Sequence, residues 1–77
     1  MELDKFIEQF AEQFDDLNPS TLSRSTVFHE LEGYSSLVAL SIIAMVDEEY
    51  DVSLKGDEMR KAVTIEDLFN IVKSKNV

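Results

Sequence analysis

The stretch EGYSSLVALSIIAMV, residues 32–46, decides how this chain is read. A glycine and an aromatic residue precede two serines, and among the ten residues 37–46 only Ser41 is polar. A helix on the surface of a soluble protein ordinarily carries one apolar stripe and a polar back. Here Ala39, Ile42, Ile43, Val46 and the following Tyr50 recur at i, i+3, i+4, i+7 and i+11, which suffices for a core-facing stripe. Leu37, Val38, Leu40, Ala44 and Met45 are then partly surplus. Of these, Leu37, Val38 and Met45 are candidates for an exposed apolar patch, a feature that usually marks a partner. The helix closes on Asp47, Glu48 and Glu49, with Asp51 just beyond. Carboxylates at a helix C-terminus oppose its dipole by about 0.3–1 kcal/mol each, a cost tolerated more readily when the charges have a use.

Working outward, Leu3, Phe6, Ile7, Phe10, Ala11, Phe14 and Leu17 recur at helical spacing among Asp4, Glu8, Gln9, Glu12 and Gln13. This predicts an amphipathic first helix over roughly residues 3–15, ended by Asn18-Pro19. Residues 18–35 read as a long connection from which Leu22, Val27, Phe28 and Leu31 tuck back onto the core; a loop of this length in so small a domain is often functional. The second helix is expected from Ser35-Ser36 to about Tyr50. DEMRK, residues 57–61, allows one short helical turn. Thr64 and Asp67 form a capping-box pattern that opens a last helix through about Lys73, with Lys73 and Lys75 suited to its C-terminal end. No strand-like alternation and no internal repeat competes. The expectation is a single all-α domain over residues 1–77.

Sixteen acids against seven bases give a net charge of −9, which repels nucleic acid and anionic membranes and favours partners that present Lys and Arg. There is no cysteine, hence no disulfide framework, no thiolate metal site and no thiol of the chain's own. No leader-like segment opens the chain, and its longest apolar run is far too short to cross a bilayer, so a cytoplasmic protein without stable membrane insertion is expected.

A serine ahead of a helix most often serves as an N-cap. Two adjacent serines are more than one cap needs. A phosphate ester on a hydroxyl at that place would sit at the positive end of the helix dipole, near free N–H groups. Both readings, cap and modified serine, are open on local chemistry.

FHELEGYSSL at 28–37, DEEYDVSL at 47–54 and AVTIEDLF at 62–69, in this order and spacing, resemble the acyl carrier proteins over roughly residues 3–73. The resemblance implies a four-helix bundle of acyl-carrier type, with a long loop between helices one and two and a short third helix. In that family the serine of an Asp-Ser-Leu motif carries 4′-phosphopantetheine, transferred from coenzyme A. Ser36-Leu37 matches its Ser-Leu, so Ser36 is the implied attachment site. The missing thiol would come with the cofactor, which carries acyl groups as thioesters. The implied protein is a non-catalytic carrier in fatty acid or related lipid metabolism. It is expected to be a monomer that serves a phosphopantetheinyl transferase and acyl-transferring or acyl-modifying enzymes with basic docking patches. Leu37, Val38, Met45, Asp47, Glu48 and Glu49 form the implied docking surface. Two departures from the family stand out: Ser35 stands in place of its Asp, and Val38 and Ser41 stand where many members carry acids. The Gly33-Tyr34 pair before the serines is closer to the Gly-aromatic branch, which suggests a cargo other than an ordinary fatty acid.

Three other readings bear on the same residues. An acidic helical adaptor of carrier fold without the prosthetic group is favoured by Ser35. A calcium-binding helix-loop-helix is suggested by Asp47, Glu49, Asp51, Ser53 and Glu58 at loop positions 1, 3, 5, 7 and 12, but Val52 holds the place of the turn glycine. A hydrolase would rest on His29, the only histidine, in a chain hardly large enough to build a catalytic cleft.

Overall fold

Phe6, Ile7, Phe10 and Ala11 lie on one face of α1 (Leu3–Ala11) and are buried, while Asp4, Lys5 and Glu8 on its back are exposed. This is the amphipathic division their spacing predicts. The computed structural model describes residues 2–76. Three further α-helices follow in it: α2 (Ser36–Tyr50), α3 (Gly56–Lys61) and α4 (Ile65–Lys75). Short 3₁₀ turns at Pro19–Thr21 and Phe28–Glu30 punctuate the connection between α1 and α2. Among the described residues there is no β-strand, only an isolated antiparallel bridge between Val27 and Thr64. The fold is all-α. No helix of the described residues is long and apolar enough to cross a membrane.

All four helices contribute to one apolar core. Phe6, Phe10, Phe28, Ile42, Ile65 and Leu68 are fully enclosed in it. Aromatic edges hold it together: Phe6 meets Phe69 at 5.5 Å between ring centroids, and Phe10 meets Phe28 at 5.6 Å, both edge to face.

The first helix is shorter than its hydrophobic pattern suggests. After Ala11 the backbone tightens, with the N–H of Gln13 donated to Phe10 and that of Phe14 to Ala11, and Asp16 adopts a left-handed φ of 54°. Phe14 nevertheless stays buried, 5.5 Å from Phe10 and 6.4 Å from Tyr34. A turn of i→i−3 bonds keeps the next large side chain on the same side as a further α-turn would, so the periodicity outlasts the helix.

The connection to α2 folds back as expected. Phe28 is buried, and Leu22, Val27 and Leu31 are half-buried. Gly33 takes φ +90°, a left-handed conformation that a side chain would strain. Backbone carbonyls of the same connection meet the start of α4: the N–H of Ile65 is donated to Thr26 at 3.1 Å and that of Glu66 to Arg24 at 3.0 Å. Asp67 N–H is donated to Thr64 Oγ1, and Asp67 Oδ2 accepts the N–H groups of Thr64 and Val63. The capping box is therefore formed, and the orphan donors of the first turn of α4 are satisfied. At the other end, Lys75 Nζ is donated to Glu58 at 2.7 Å and to the Ser53 carbonyl at 3.2 Å, which ties the end of α4 to α3 and its approach.

Met45 corrects the sequence reading. It is not on an exposed patch but 7 % accessible in the core, beside Ile42 and Val46. The large apolar residues that α2 leaves outside are Leu37 and Leu40, 73 % and 63 % accessible. With apolar residues on every side of α2, periodicity could not decide between these faces; the packing of α1 against α2 does.

Candidate functional site

The two serines that open α2 have different surroundings. Ser35 is the N-cap: its backbone is extended (φ −153°, ψ 173°), its Oγ accepts the N–H of Val38 at 3.2 Å, and its carbonyl accepts that of Ala39 at 2.9 Å. Ser36 is the first residue of the helix and exposed, and its hydroxyl makes no hydrogen bond to another described residue. One serine satisfies the helix; the other carries a spare hydroxyl at its positive end.

Beside Ser36 opens a cleft of about 420 Å³ between α2 and α3. Ala39, Leu40 and Ile43 line it from α2, Gly56, Met59 and Arg60 from α3, and His29 and Tyr34 from the preceding connection. This follows from local folding. The run of Ala39, Leu40 and Ile43 turns apolar surface toward α3, and α3 is too short to cover it. Tyr34 is half-buried against Phe28 at 5.6 Å and His29 at 5.3 Å, and burial raises its phenol above the ordinary tyrosine range. Tyr34 thus covers the loop and the start of α2. His29 donates Nε2–H to the Met59 carbonyl at 3.0 Å, which fastens the loop to α3. The ring is exposed and packs on Phe28.

A second surface is the outward face of α2. Leu37, Leu40 and Ala44 follow one another at spacings of three and four and are exposed, and the same stripe continues into Asp47 and Glu48. Val38 is half-buried beside it and lines a groove with Leu37, Phe14 and Gly33. Glu49 is turned toward α1, where it accepts Gln9 Nε2–H at 3.1 Å, and Gln9 also takes the Tyr50 hydroxyl. Of the expected docking residues, Leu37, Val38, Asp47 and Glu48 share this side. Glu49 borders it, and Met45 lies beneath it.

The five oxygen-bearing residues of the calcium reading do not come together. Asp47 and Glu49 lie within helical α2, Asp51 follows with a left-handed φ of 55°, and Glu58 is engaged by Lys75. A calcium loop needs its first positions in open backbone, and these are helical.

Leu40 and Arg60 are the site residues that sequence reasoning passed over. Leu40 was one apolar residue among many in α2, and Arg60 belongs to a segment marked only as a short helical turn. The signal for both is tertiary: they line one cleft only because α3 packs beside α2. Compared with family models, with curated proteins and with solved structures, the chain gives no match.

Proposed function

We propose that this chain is an acyl carrier: a single domain of acyl-carrier type that presents acyl intermediates as thioesters on a 4′-phosphopantetheine arm attached to Ser36. The observation that carries this reading is the division of labour between the serines. Ser35 already caps α2, so the exposed Ser36 hydroxyl is spare, at a helix N-terminus and at the edge of an apolar cleft. The residues fit the group. An ester phosphate at Ser36 would meet the positive end of α2, and Leu40, Ile43 and Met59 offer an apolar surface to an acyl chain. When bound, the group supplies the thiol that the chain lacks. The protein's part is to hold and present; turnover belongs to its partners.

Those partners, in this reading, are a phosphopantetheinyl transferase and acyl-transferring or acyl-modifying enzymes of cytoplasmic lipid metabolism. Their basic patches would meet Asp47, Glu48 and Glu49, and their apolar contacts would meet Leu37, Leu40 and Val38. Complementary charge of this kind acts mainly on encounter and specificity. Met45, being core, is not part of the proposed contact.

The test is intact mass spectrometry of protein purified from its host, joined to in vitro modification with coenzyme A and a transferase. One group should add to the wild type and to Ser35→Ala, and none to Ser36→Ala. Addition at Ser35 would overturn the register. Ser35 brings no carboxylate beside the attachment site, and this one observation favours a second reading, an acidic adaptor without the group. Failure of several transferases to modify Ser36, in a protein also unmodified in its host, would overturn the carrier reading and favour the adaptor.

A further inference from the structure

The cleft beside Ser36 differs in charge from the other principal grooves of the molecule. Arg60 and His29 border it and no carboxylate does. By contrast, the groove beside Leu37 is rimmed by Asp15, Asp16 and Glu32, and the grooves elsewhere also hold two or more acids each. In a chain of net charge −9, one apolar cleft has been kept clear of acids.

Arg60 is exposed and has no carboxylate within ion-pair distance among the described residues. Its guanidinium folds back along α3, so that a Cβ placed on Gly56 would lie 3.5 Å from Nη1. The guanidinium thus lies along the α3 wall of the cleft. At physiological ionic strength charges farther off than about 8 Å are largely screened, so a ligand against Arg60 responds to it more than to acids beyond that range. Asp57, on α3 beside Gly56, is outside the lining.

We infer that the cleft between α2 and α3 takes a ligand with an apolar chain and a carboxylate, the chain lying on Leu40, Ile43 and Met59 and the carboxylate paired by Arg60. The same chemistry comes from a free carboxylic acid or from an acyl group tethered at Ser36 with a carboxylate at its far end. In the tethered form the inference rests on the carrier reading and names its class of cargo.

The first arm of the test uses unmodified protein, with octanoate and octanol titrated against the methyl resonances of Ile43 and Met59. Octanol is the more apolar probe and is not repelled by the net charge, so a preference for octanoate isolates the local cation. An exposed ion pair contributes little, and about a threefold preference is expected. Arg60→Gln should abolish it. Lys61→Gln, which removes a neighbouring cation outside the cleft lining, should leave it intact. Equal or weaker binding of octanoate, a preference that survives Arg60→Gln, or no binding of either probe would overturn the inference.

The second arm compares Ser36 loaded with a dicarboxylic acyl group and with a neutral one of equal length, reading the same methyls. Larger shifts with the dicarboxylic cargo assign the tethered source, and equal shifts restrict the site to free acids. If Ser36 cannot be loaded, the carrier reading fails while the first arm still decides the cleft.

Discussion

Ser35 Oγ accepts the N–H of Val38 at 3.2 Å, so the cap of α2 belongs to the residue before the one whose hydroxyl is free. Removing such a cap costs about 1 kcal/mol. Ser35→Ala should therefore lower the melting temperature by about 4–8 °C in a domain of this size, and Ser36→Ala should change it little. Ser35→Asp should retain the cap, since Asp caps as well as Ser and a negative charge suits a helix N-terminus. It also restores the Asp-Ser-Leu pattern, so it should speed modification of Ser36 by a transferase. Thermal unfolding of the three variants checks the cap, and equal losses for both alanines would refute it.

Met45 and Leu40 should behave in opposite ways on truncation. Met45 is enclosed with Ile42 and Val46, and Met45→Ala should cost about 2–4 kcal/mol through lost burial and the cavity left behind. Leu40, 63 % accessible, should lose less than about 0.5 kcal/mol as Leu40→Ala. Urea denaturation measures both. A Met45→Ala protein as stable as the wild type would place that side chain outside the core.

The contrast shows what the sequence made legible. Helix order and helix starts were readable because caps are local chemistry, as at Ser35 and in the Thr64–Asp67 box. The end of α1 was not, because Phe14 keeps its periodic place across a turn that is no longer α-helical. The buried side of α2 was ambiguous for a different reason: a helix apolar all round has no stripe to read, and only its neighbours choose between Met45 and Leu40. At the site, Ser36 came from a motif resemblance. Arg60 came into view only with the cleft, and so did the place of His29 in its wall, since the two reach it from segments thirty residues or more apart.

Two carboxylates gain partners in the folded state that favour their ionised form. The Lys75 ammonium and the Lys55 backbone N–H hold Glu58 below the ordinary glutamate range. The N–H groups of Thr64 and Val63 do the same for Asp67. A carboxylate whose pKa is depressed in the folded state contributes stability at pH values above its unfolded pKa and loses it as pH falls through the folded value. Mutual repulsion at −9 acts in the opposite direction and is relieved by mild acid or salt. The melting temperature should thus rise from pH 7 to about pH 5, then fall below about pH 4 as these two groups protonate. Glu58→Gln and Asp67→Asn should each flatten the acid limb. A melting temperature that keeps rising to pH 3, or that drops when salt is raised from very low levels, would contradict this balance.

The outward face of α2 should separate encounter from adhesion when a basic partner docks. The Glu48 side chain is exposed and makes no hydrogen bond or ion pair to another described residue, so Glu48→Lys should leave folding unchanged. It should slow association and weaken its dependence on salt, as reversal of a rim charge does. Leu37 is 73 % accessible and lies outside the cleft lining, so Leu37→Ser tests docking without touching the proposed cargo site. Fully burying a leucine side chain contributes roughly 1.5–3 kcal/mol, and Leu37→Ser should raise the dissociation rate about tenfold while association hardly changes. Surface plasmon resonance against a phosphopantetheinyl transferase, with circular dichroism on each variant, resolves the two effects. If Leu37→Ser dissociates like the wild type while Glu48→Lys alters association, the partner reads the acidic end of α2 alone, and the apolar stripe from Leu37 to Ala44 has no part in docking.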